Sequence, residues 1–457
     1  MKKITVGLLP LYIKLYDDAG TDRTYTKAFY ETVANVLENQ GFDVLKSDFC
    51  RIESEFNKTV KSFEEQGADV IVTLHAAYSP SLESINALSK TKLPIVVFDS
   101  TEAYELGKSA SPINNNHGIH GVMDMCNLLK QKGKPYAIAA GHIDDGKVVK
   151  KACDFIKSAV AAQSLKGSRV GSFGKSFKGM GDFLISKKDA KKLFGIDVVY
   201  LKDQQMKSAL DNVSEEEINA EKEVYKTEYV YNDKISDEIY NDAIKSALAV
   251  RKTVKDENLD AFSINFLDVT SKNLNSMPFI ECCKAMQNGI GYAGEGDVLT
   301  ASFVGALLKV FKEVTFAEIF CPDWKNNKLL ISHMGEMNYA LATDKPRIVE
   351  HRFPYTDAVN PISANACFKA GKAVFGNLFK DCDGKYKLLV SDIEMLEEEK
   401  GFEESIKGWF KPSIPVDDFL EKLSEHGAIH HSFIVYDVNL KAIEFFGKLI
   451  GLEVVRV

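Results

Sequence analysis

The stretch VIVTLHAAYSPSLESINALSKTKLPIVVF, residues 70–98, contains two short apolar runs separated by an amphipathic segment. The runs Val70–Leu74 and Ile95–Phe98 have the length and composition of strands that are buried on both faces. The segment Ser81–Leu88 between them has a helical pattern. A strand, a helix and a second strand in this order predict two parallel strands joined by a helix, which is the repeating unit of an α/β fold.

The same alternation continues on both sides of this stretch. In the first third of the chain it predicts strands at Ile4–Leu9, Asp43–Leu45 and Ala137–Ala140, and helices at Thr24–Asn39, Ile52–Gln66 and Gly121–Lys132. A second α/β unit is predicted to begin near Arg169, with strands at Ser168–Phe173, Val198–Leu201 and Ala261–Phe266, and helices at 214–226, 235–255 and 278–288.

The pattern changes after about residue 320, where strand-like segments follow one another with few helices between them. These are Lys328–Ser332, Arg347–Arg352, Ala373–Asn377, Lys387–Ile393, His430–Tyr436 and Glu453–Val457, with a helix at Leu440–Leu449. We therefore predict an α/β protein with parallel-sheet domains at 1–165 and 166–320 and a mainly β domain at 321–457. Glu295 falls in the second domain, and Glu336, His351 and His431 fall in the third.

Composition limits the classes of function that are open to the chain. Its 457 residues are 45% hydrophobic and 27% charged, as in ordinary globular proteins, and the net charge of −8 disfavours nucleic-acid binding. No apolar run is long enough to cross a membrane. The basic start MKK has no cleavage site after it, and Lys14 and Asp17 interrupt the apolar run, so we expect a cytoplasmic protein. Eight cysteines without a CxxC pair predict reduced thiols.

Histidines and carboxylates are concentrated in a few places. Six of the nine histidines form three sequence groups: His117 and His120, His333 and His351, and His430 and His431. The carboxylates nearest to them are Glu295, Asp297, Glu336 and Glu350. Imidazole and carboxylate together suit Mn²⁺, Mg²⁺, Co²⁺ or Zn²⁺. The alternative is that each histidine is a hydrogen-bonded core or surface residue.

Three local contexts favour a metal site. In NGIGYAGEGD, residues 288–297, two carboxylates lie in a predicted glycine-rich turn directly before a helix that starts near Leu299. A helix cap explains Asp297, but it explains neither Glu295 nor the four glycines. In LLISHMGEMN, residues 329–338, an apolar strand ends in polar residues, as strands in α/β and barrel enzymes do at their active ends. In HGAIHHS, residues 426–432, neighbouring histidines on a strand would point to opposite faces, so only one of them is expected to face a shared site.

A fourth segment, NNNHGIHGVMD at 114–124, opens a helix after a polar loop. His117 and His120 there suit an anion or a sugar hydroxyl, while Asn116 is also explained as a helix cap. The GKS triplet at 174–176 lacks the earlier glycine of a phosphate loop, since Arg169 stands in its place. No GxGxxG follows the first strand either, which argues against a dinucleotide cofactor.

Five of these segments resemble the L-arabinose isomerase family, within the wider group of L-arabinose and L-fucose isomerase-like enzymes. The long ones are NNNHGIHGVMDMCNLLKQKGKPY (114–136) and MPFIECCKAMQNGIGYAGEGDVLTA (277–301); the short ones are SHMGEMN (332–338), VEHRF (349–353) and GAIHHSF (427–433). The resemblance implies two Rossmann-like domains followed by a β-barrel-like one. It also implies a homotrimer or homohexamer with its sites at subunit interfaces.

The resemblance further implies a sugar isomerase that moves a proton between C1 and C2 of its substrate. Carried over by motif, the metal ligands are Glu295, Glu336, His351 and His431, and Mn²⁺ is expected in preference to Mg²⁺ or Co²⁺. Glu295 and Glu336 are expected to share the proton transfer, with Asp297 beside them. The resemblance also implies that a neighbouring subunit contributes a histidine to the substrate side, His117 or His120, of which we expect His120. We also expect His430 to contact the substrate.

Two departures from the family leave the sugar open. The first strand turn reads LLPLY at 8–12 without the family's glutamine, and SHMGEMN lacks the Cys-Pro that usually follows. The alternatives are a non-catalytic sugar-binding or sensor protein on the same scaffold, and an epimerase or isomerase of a modified or deoxy sugar.

Overall fold

The computed structural model describes residues 3–108, 113–397 and 405–457. The chain forms two compact units: residues 1–160 together with 441–451, and residues 161–440 together with 452–457. Among the described residues, no helix is both long enough and apolar enough to cross a membrane. Cys50, Cys126, Cys153, Cys282 and Cys283 are buried thiols. The three predicted domain ranges stay predictions.

The first unit contains a five-stranded parallel sheet, as the sequence predicted. Its strands are β1 (Thr5–Leu11), β2 (Asp43–Lys46), β3 (Val70–His75), β4 (Ile95–Asp99) and β5 (Tyr136–Ala140), in the spatial order β2-β1-β3-β4-β5. The helices are Lys14–Asp18, Thr24–Asn39, Glu53–Glu65, Ser81–Lys90, Ile119–Gln131, Lys147–Leu165, which extends into the second unit, and Leu440–Leu449, which begins there. The central strands β1, β3 and β4 are mostly apolar and buried, as expected for a parallel sheet that is covered by helices on both faces.

The second unit begins with a four-stranded parallel sheet. Its strands are β6 (Arg169–Phe173), β7 (Asp197–Tyr200), β8 (Ala261–Ile264) and β9 (Gly291–Gly294), in the order β7-β6-β8-β9. The helices are Lys187–Asp189, Ala190–Phe194 (a π-helix), Asp203–Asp211, Glu215–Glu228, Asp237–Asp256, Phe279–Gln287 and Val298–Leu308.

Residues Gly291–Gly294 form a strand where the sequence predicted a glycine-rich turn. The reason is close packing. A Cβ atom at Gly291 would lie 2.2 Å from the carbonyl oxygen of Ala301, so only glycine lets the fully buried helix Val298–Leu308 lie directly on this strand. Asp297 caps that helix as predicted, since its Oδ1 accepts from the backbone N–H groups of Leu299 and Thr300.

The rest of this unit is a mainly β structure, and the barrel-like prediction is confirmed. Its strands are β10 (Val314–Asp323), β11 (Lys328–Ser332), β12 (Arg347–Glu350), β13 (Ile362–Asn365), β14 (Gly371–Lys380), β15 (Tyr386–Met395), β16 (Lys407–Pro412), β17 (His431–Tyr436) and β18 (Glu453–Arg456). Six of them close a ring in the order β14-β17-β10-β11-β16-β15, because β15 also pairs with β14. β18 pairs in parallel with residues 387–390 of β15, and β12 pairs with β13. A helix spans Val416–His426. The sequence did not predict β10, β13, β16 or this helix.

Candidate metal centre

Three neighbouring barrel strands and the end of β9 bring acidic and imidazole side chains together. Strand β10 lies between β11 and β17, and its residue Glu318 is paired with both Ser332 and His431. His333 follows Ser332 directly, so the Glu318 carboxylate lies between the His333 and His431 rings. Glu295 follows β9 and reaches the same place.

The distances describe one compact cluster. Oε1 of Glu318 lies 3.0 Å from Nε2 of His333 and 3.1 Å from Nε2 of His431. Oε2 of Glu295 lies 3.5 Å from Nε2 of His431 and 3.4 Å from Nε2 of His430. Glu295, Glu318, His430 and His431 each offer one ligand atom within 4.8 Å of all the others.

Each imidazole of the cluster is held from behind by a carboxylate. Nδ1 of His431 lies 2.9 Å from Oδ2 of Asp297, and Nδ1 of His333 lies 2.5 Å from Oε2 of Glu336. Nδ1 of His430 lies 2.6 Å from Oδ2 of Asp182. In metal sites, a carboxylate of this kind fixes the ring and leaves Nε2 free to bind the ion. All three Nε2 atoms here face Glu295 or Glu318.

Two atoms at the centre of the cluster have no hydrogen-bond partner among the described residues. Oε1 of Glu318 and Nε2 of His431 are buried, and neither is aligned for a hydrogen bond although they lie 3.1 Å apart. Burying such groups without partners costs free energy. A divalent cation bound to both atoms would satisfy them, and nitrogen and oxygen donors in this combination suit such an ion. The side chains therefore fit a metal ion.

The carboxylates of the cluster are strongly acidic. Burial raises the pKa of Glu295, but the close His430 and His431 imidazoles outweigh burial and bring the pKa down to about 2. Burial likewise raises the pKa of Glu318, while the charge of His333 and the close approach of the His333 and His431 rings lower it well below the usual range. Both groups are therefore ionised at neutral pH, as metal ligands must be.

The imidazoles balance this negative charge. Burial lowers the pKa of His333, but the Glu336 and Glu318 carboxylates outweigh burial and raise the pKa to about 10. The pKa of His431 is also raised well above its usual value, because its hydrogen bond with Asp297 and the nearby Glu295 and Glu318 carboxylates outweigh burial. Both positively charged rings therefore face Glu318, and a bound metal ion would take the place of their protons at this position.

The glycines around Glu295 have identifiable tasks. A Cβ atom at Gly294 would lie 2.8 Å from Cε1 of His333, and one at Gly296 would lie 2.6 Å from Cα of Ser176. Glu295 itself has φ +62°, a left-handed conformation that costs a non-glycine residue about 1–2 kcal/mol. Strained backbone of this kind is concentrated at functional sites.

A loop at 174–186 covers the Glu295 segment. The backbone N–H of Phe177 donates to the carbonyl oxygen of Glu295 at 2.9 Å, and Oγ of Ser176 donates to the carbonyl oxygen of Gly296 at 3.3 Å. The buried Phe183 ring stacks on His431 with a centroid distance of 4.7 Å and an angle of 15°. The loop therefore forms one wall of the site.

Among the residues named from the sequence, Glu295, Asp297, His430 and His431 come together here. The prediction that only one of the two neighbouring histidines faces the site is wrong, because both Nε2 atoms approach Glu295. The alternation of strand side chains does not apply, since β17 begins at His431 and His430 lies in a bend before it.

Glu336 and His351 lie outside the compact group. Both oxygens of Glu336 are already engaged: Oε1 accepts from the Tyr292 hydroxyl at 2.8 Å, and Oε2 pairs with His333. Nε2 of His351 lies 2.5 Å from Oγ of Ser363. Their predicted roles as ligands, and that of Glu336 in proton transfer, stay predictions.

Glu318 and Asp182 were not predicted as site residues from the sequence. Glu318 lies within a strand that was not predicted, and Asp182 lies in a loop without periodic pattern. His333 was noticed as part of a strand end, but no role was assigned to it.

His117 and His120 lie in the first unit, near the carboxyl end of β3. Nε2 of His117 lies 3.0 Å from the Tyr16 hydroxyl, and the two histidine rings are 5.2 Å apart. His120 is exposed. Their predicted contact with a sugar in a neighbouring subunit stays a prediction.

Two family models match the chain. The L-arabinose isomerase central domain matches residues 169–314, and the L-arabinose isomerase C-terminal domain matches residues 313–453. An L-arabinose isomerase of Tolumonas auensis is 24% identical over 408 residues, covering 85% of this chain and 80% of that protein. L-arabinose isomerase 2 of Clostridium acetobutylicum is 22% identical over 455 residues, covering 93% and 90%.

One solved structure with some likeness is a periplasmic solute binding protein of an ABC transporter from Actinobacillus succinogenes 130z, with bound D-allose. It is 13% identical and covers 67% of this chain and 92% of that one, with a TM-score of 0.20. A score this low bears on neither fold nor function.

Proposed function

The chain belongs to the L-arabinose isomerase family, and we propose that it interconverts an aldose and a ketose with the help of a divalent metal ion. The observation that carries the proposal is the position of Glu318 between two imidazoles that carboxylates hold from behind. A sugar-binding protein without catalysis has no need of this buried charged cluster, whose assembly costs desolvation.

We assign the metal to Glu295, Glu318, His333 and His431. Glu318 and His431 supply the two buried atoms without hydrogen bonds, and Glu295 lies beside them. His333 is preferred to His430 as the fourth ligand because its side chain is only 4% exposed, against 37% for His430. Glu318 and His333 thus take the places that the sequence motifs predicted for Glu336 and His351.

The reaction moves one proton between neighbouring carbons, while a carbonyl and a hydroxyl exchange places. A divalent ion held by Glu295, Glu318, His333 and His431 would supply a Lewis acid that polarises the carbonyl and offsets the negative charge that develops during the transfer. Glu295 and Glu318 are carboxylates within the cluster, and we propose that they remove the proton and return it. Positioned proton transfer of this kind contributes about 10²–10⁴-fold to rate.

The carboxylates behind the rings have a different task. Asp297 is fully buried and already caps a helix through Oδ1, which leaves Oδ2 for His431. Glu336 is fixed by the Tyr292 hydroxyl and the His333 ring. We propose that both orient imidazole ligands. His430 is the most exposed of the three rings, and we propose that its Nε2 contacts a sugar hydroxyl.

The experiment that tests the proposal begins with protein stripped of metal by a chelator. Mn²⁺, Mg²⁺ or Co²⁺ is added back with a panel of pentoses, hexoses and deoxyhexoses in ²H₂O, and the products are followed by NMR. We expect at least one aldose to give a ketose that carries deuterium at C1, and we expect no reaction before metal is returned. Sugar binding without any product would favour the sensor alternative, and inversion of a centre without ketose would favour an epimerase.

A further inference from the structure

Asp182, in the loop at 174–186, makes two contacts with His430, the residue that directly precedes strand β17. Oδ2 of Asp182 accepts from the backbone N–H of His430 at 3.0 Å and lies 2.6 Å from Nδ1 of the same residue. One carboxylate oxygen therefore fixes both the backbone and the ring of His430. Two simultaneous contacts leave the ring little rotational freedom.

The loop is held in place by contacts that do not involve His430. The backbone N–H of Lys175 donates to Asp268 at 2.8 Å, and Nδ2 of Asn265 donates to the carbonyl oxygen of Lys175 at 2.9 Å. Phe177 is tied to the backbone of Glu295. The loop is therefore fixed by hydrogen bonds that are independent of His430. Asp182 can for this reason hold the His430 ring in one orientation.

His430 is oriented toward the reacting groups and remains accessible. With Nδ1 turned to Asp182, Nε2 lies 3.4 Å from Oε2 of Glu295. The side chain is 37% exposed, whereas that of the neighbouring His431 is fully buried. Phe183, the residue after Asp182, packs against both rings, with centroid distances of 5.6 Å and 4.7 Å. A sugar bound at Glu295 can therefore reach His430 and not His431.

We propose that Asp182 is a positioning residue for the isomerisation: it holds His430 with Nε2 directed toward the sugar that binds at Glu295. This inference rests on the proposed function. Asp182 and His430 are each more than one-third exposed. Removing their contact leaves no buried group without a partner, so the effect falls on substrate binding and not on folding.

The test compares Asp182→Ala and Asp182→Asn with a matched control, Asp189→Ala. Asp189 follows the same loop but pairs with Ser186 and contacts no histidine of the cluster. Kinetics on the aldose that the wild type converts give KM and kcat, and calorimetry gives the Kd for Mn²⁺. Loss of a contact that orients a side chain of the site typically lowers metal affinity or activity by about 10- to 100-fold.

We expect Asp182→Ala to raise KM by about 10-fold or more while the Kd for Mn²⁺ stays within about 2-fold. Asp182→Asn should restore most of the loss, because its amide oxygen still accepts from both N–H groups of His430. In a His430→Ala background, Asp182→Ala should add nothing.

An unchanged KM in Asp182→Ala would overturn the inference, and so would a Kd for Mn²⁺ that weakens as much as KM rises, since His430 would then be a ligand. An asparagine variant as impaired as the alanine variant, or an undiminished effect without His430, would also overturn it. Each of these results requires a wild type that is active. Failure of the proposed function would look different, because the wild type itself would then convert no aldose of the panel.

Discussion

The Gly294→Ala variant tests whether His333 binds the metal. The added methyl group would lie 2.8 Å from Cε1 and 3.1 Å from Nε2 of His333. Non-bonded carbon atoms prefer about 3.5–4.0 Å, so the ring must move by about 0.7 Å or more. Glu336 holds the ring at Nδ1 with a 2.5 Å contact, which opposes that movement.

We expect Gly294→Ala to bind Mn²⁺ about 10- to 100-fold more weakly, the range seen when a ligand's orientation is disturbed. Overpacking should also cost about 1–3 kcal/mol of stability. Binding is measured by calorimetry well below the melting temperature, with circular dichroism to show that the variant is folded. Gly107→Ala is the control, since a methyl group there meets no atom of the described part of the chain within 4 Å. A folded Gly294→Ala protein with wild-type affinity for Mn²⁺ would refute the assignment of His333.

Three further predictions concern acidic residues near the cluster and a buried histidine. Glu318→Gln should reduce turnover by at least about 100-fold and abolish tight Mn²⁺ binding. The control Glu313→Gln, which removes an ion pair with Lys369, should do neither. Equal activity in both variants would contradict the role of Glu318. Glu336→Gln should weaken Mn²⁺ binding about 10- to 100-fold but regain turnover at saturating Mn²⁺, and turnover that stays abolished there would instead support the proton-transfer role predicted from the sequence. His75 has a pKa lowered by burial to about 3, below its ordinary 6.5, so its contribution to stability is present above pH 6.5 and is lost as the pH falls toward 3, by up to about 1.4 kcal/mol per pH unit. His75→Gln should flatten the fall in stability between pH 6.5 and 4.5 in urea titrations, whereas replacement of the exposed His120 by Gln should not; an unchanged slope in His75→Gln would show that another group is responsible.

The sequence predicted the parallel sheets well because their strands are buried on both faces. The predicted runs Val70–Leu74, in which only Thr73 is polar, and Ile95–Phe98 almost coincide with the observed strands Val70–His75 and Ile95–Asp99. Gly291–Gly294 escaped prediction because glycines carry no pattern of apolar and polar side chains. This segment forms a strand because the helix Val298–Leu308 packs on it, and the local sequence does not show this tertiary contact.

The candidate site was predicted only in part, for a similar reason. Glu295 and His431 lie in recognisable motifs, but Glu318 is a charged residue within the strand Val314–Asp323, where alternation alone does not tell which face it occupies. A register shift between Ile319 and Cys321 follows it directly. Its inward direction depends on pairing with two other strands, and short motifs cannot supply that information.

An anomalous difference map from a crystal soaked in Mn²⁺, measured near the manganese absorption edge, would locate the metal ion itself. We expect one strong peak within about 2–2.5 Å of carboxylate oxygens of Glu295 and Glu318 and of Nε2 of His333 and His431. A peak bound instead by Glu336 and His351, or no peak at this cluster at saturating Mn²⁺, would contradict this assignment.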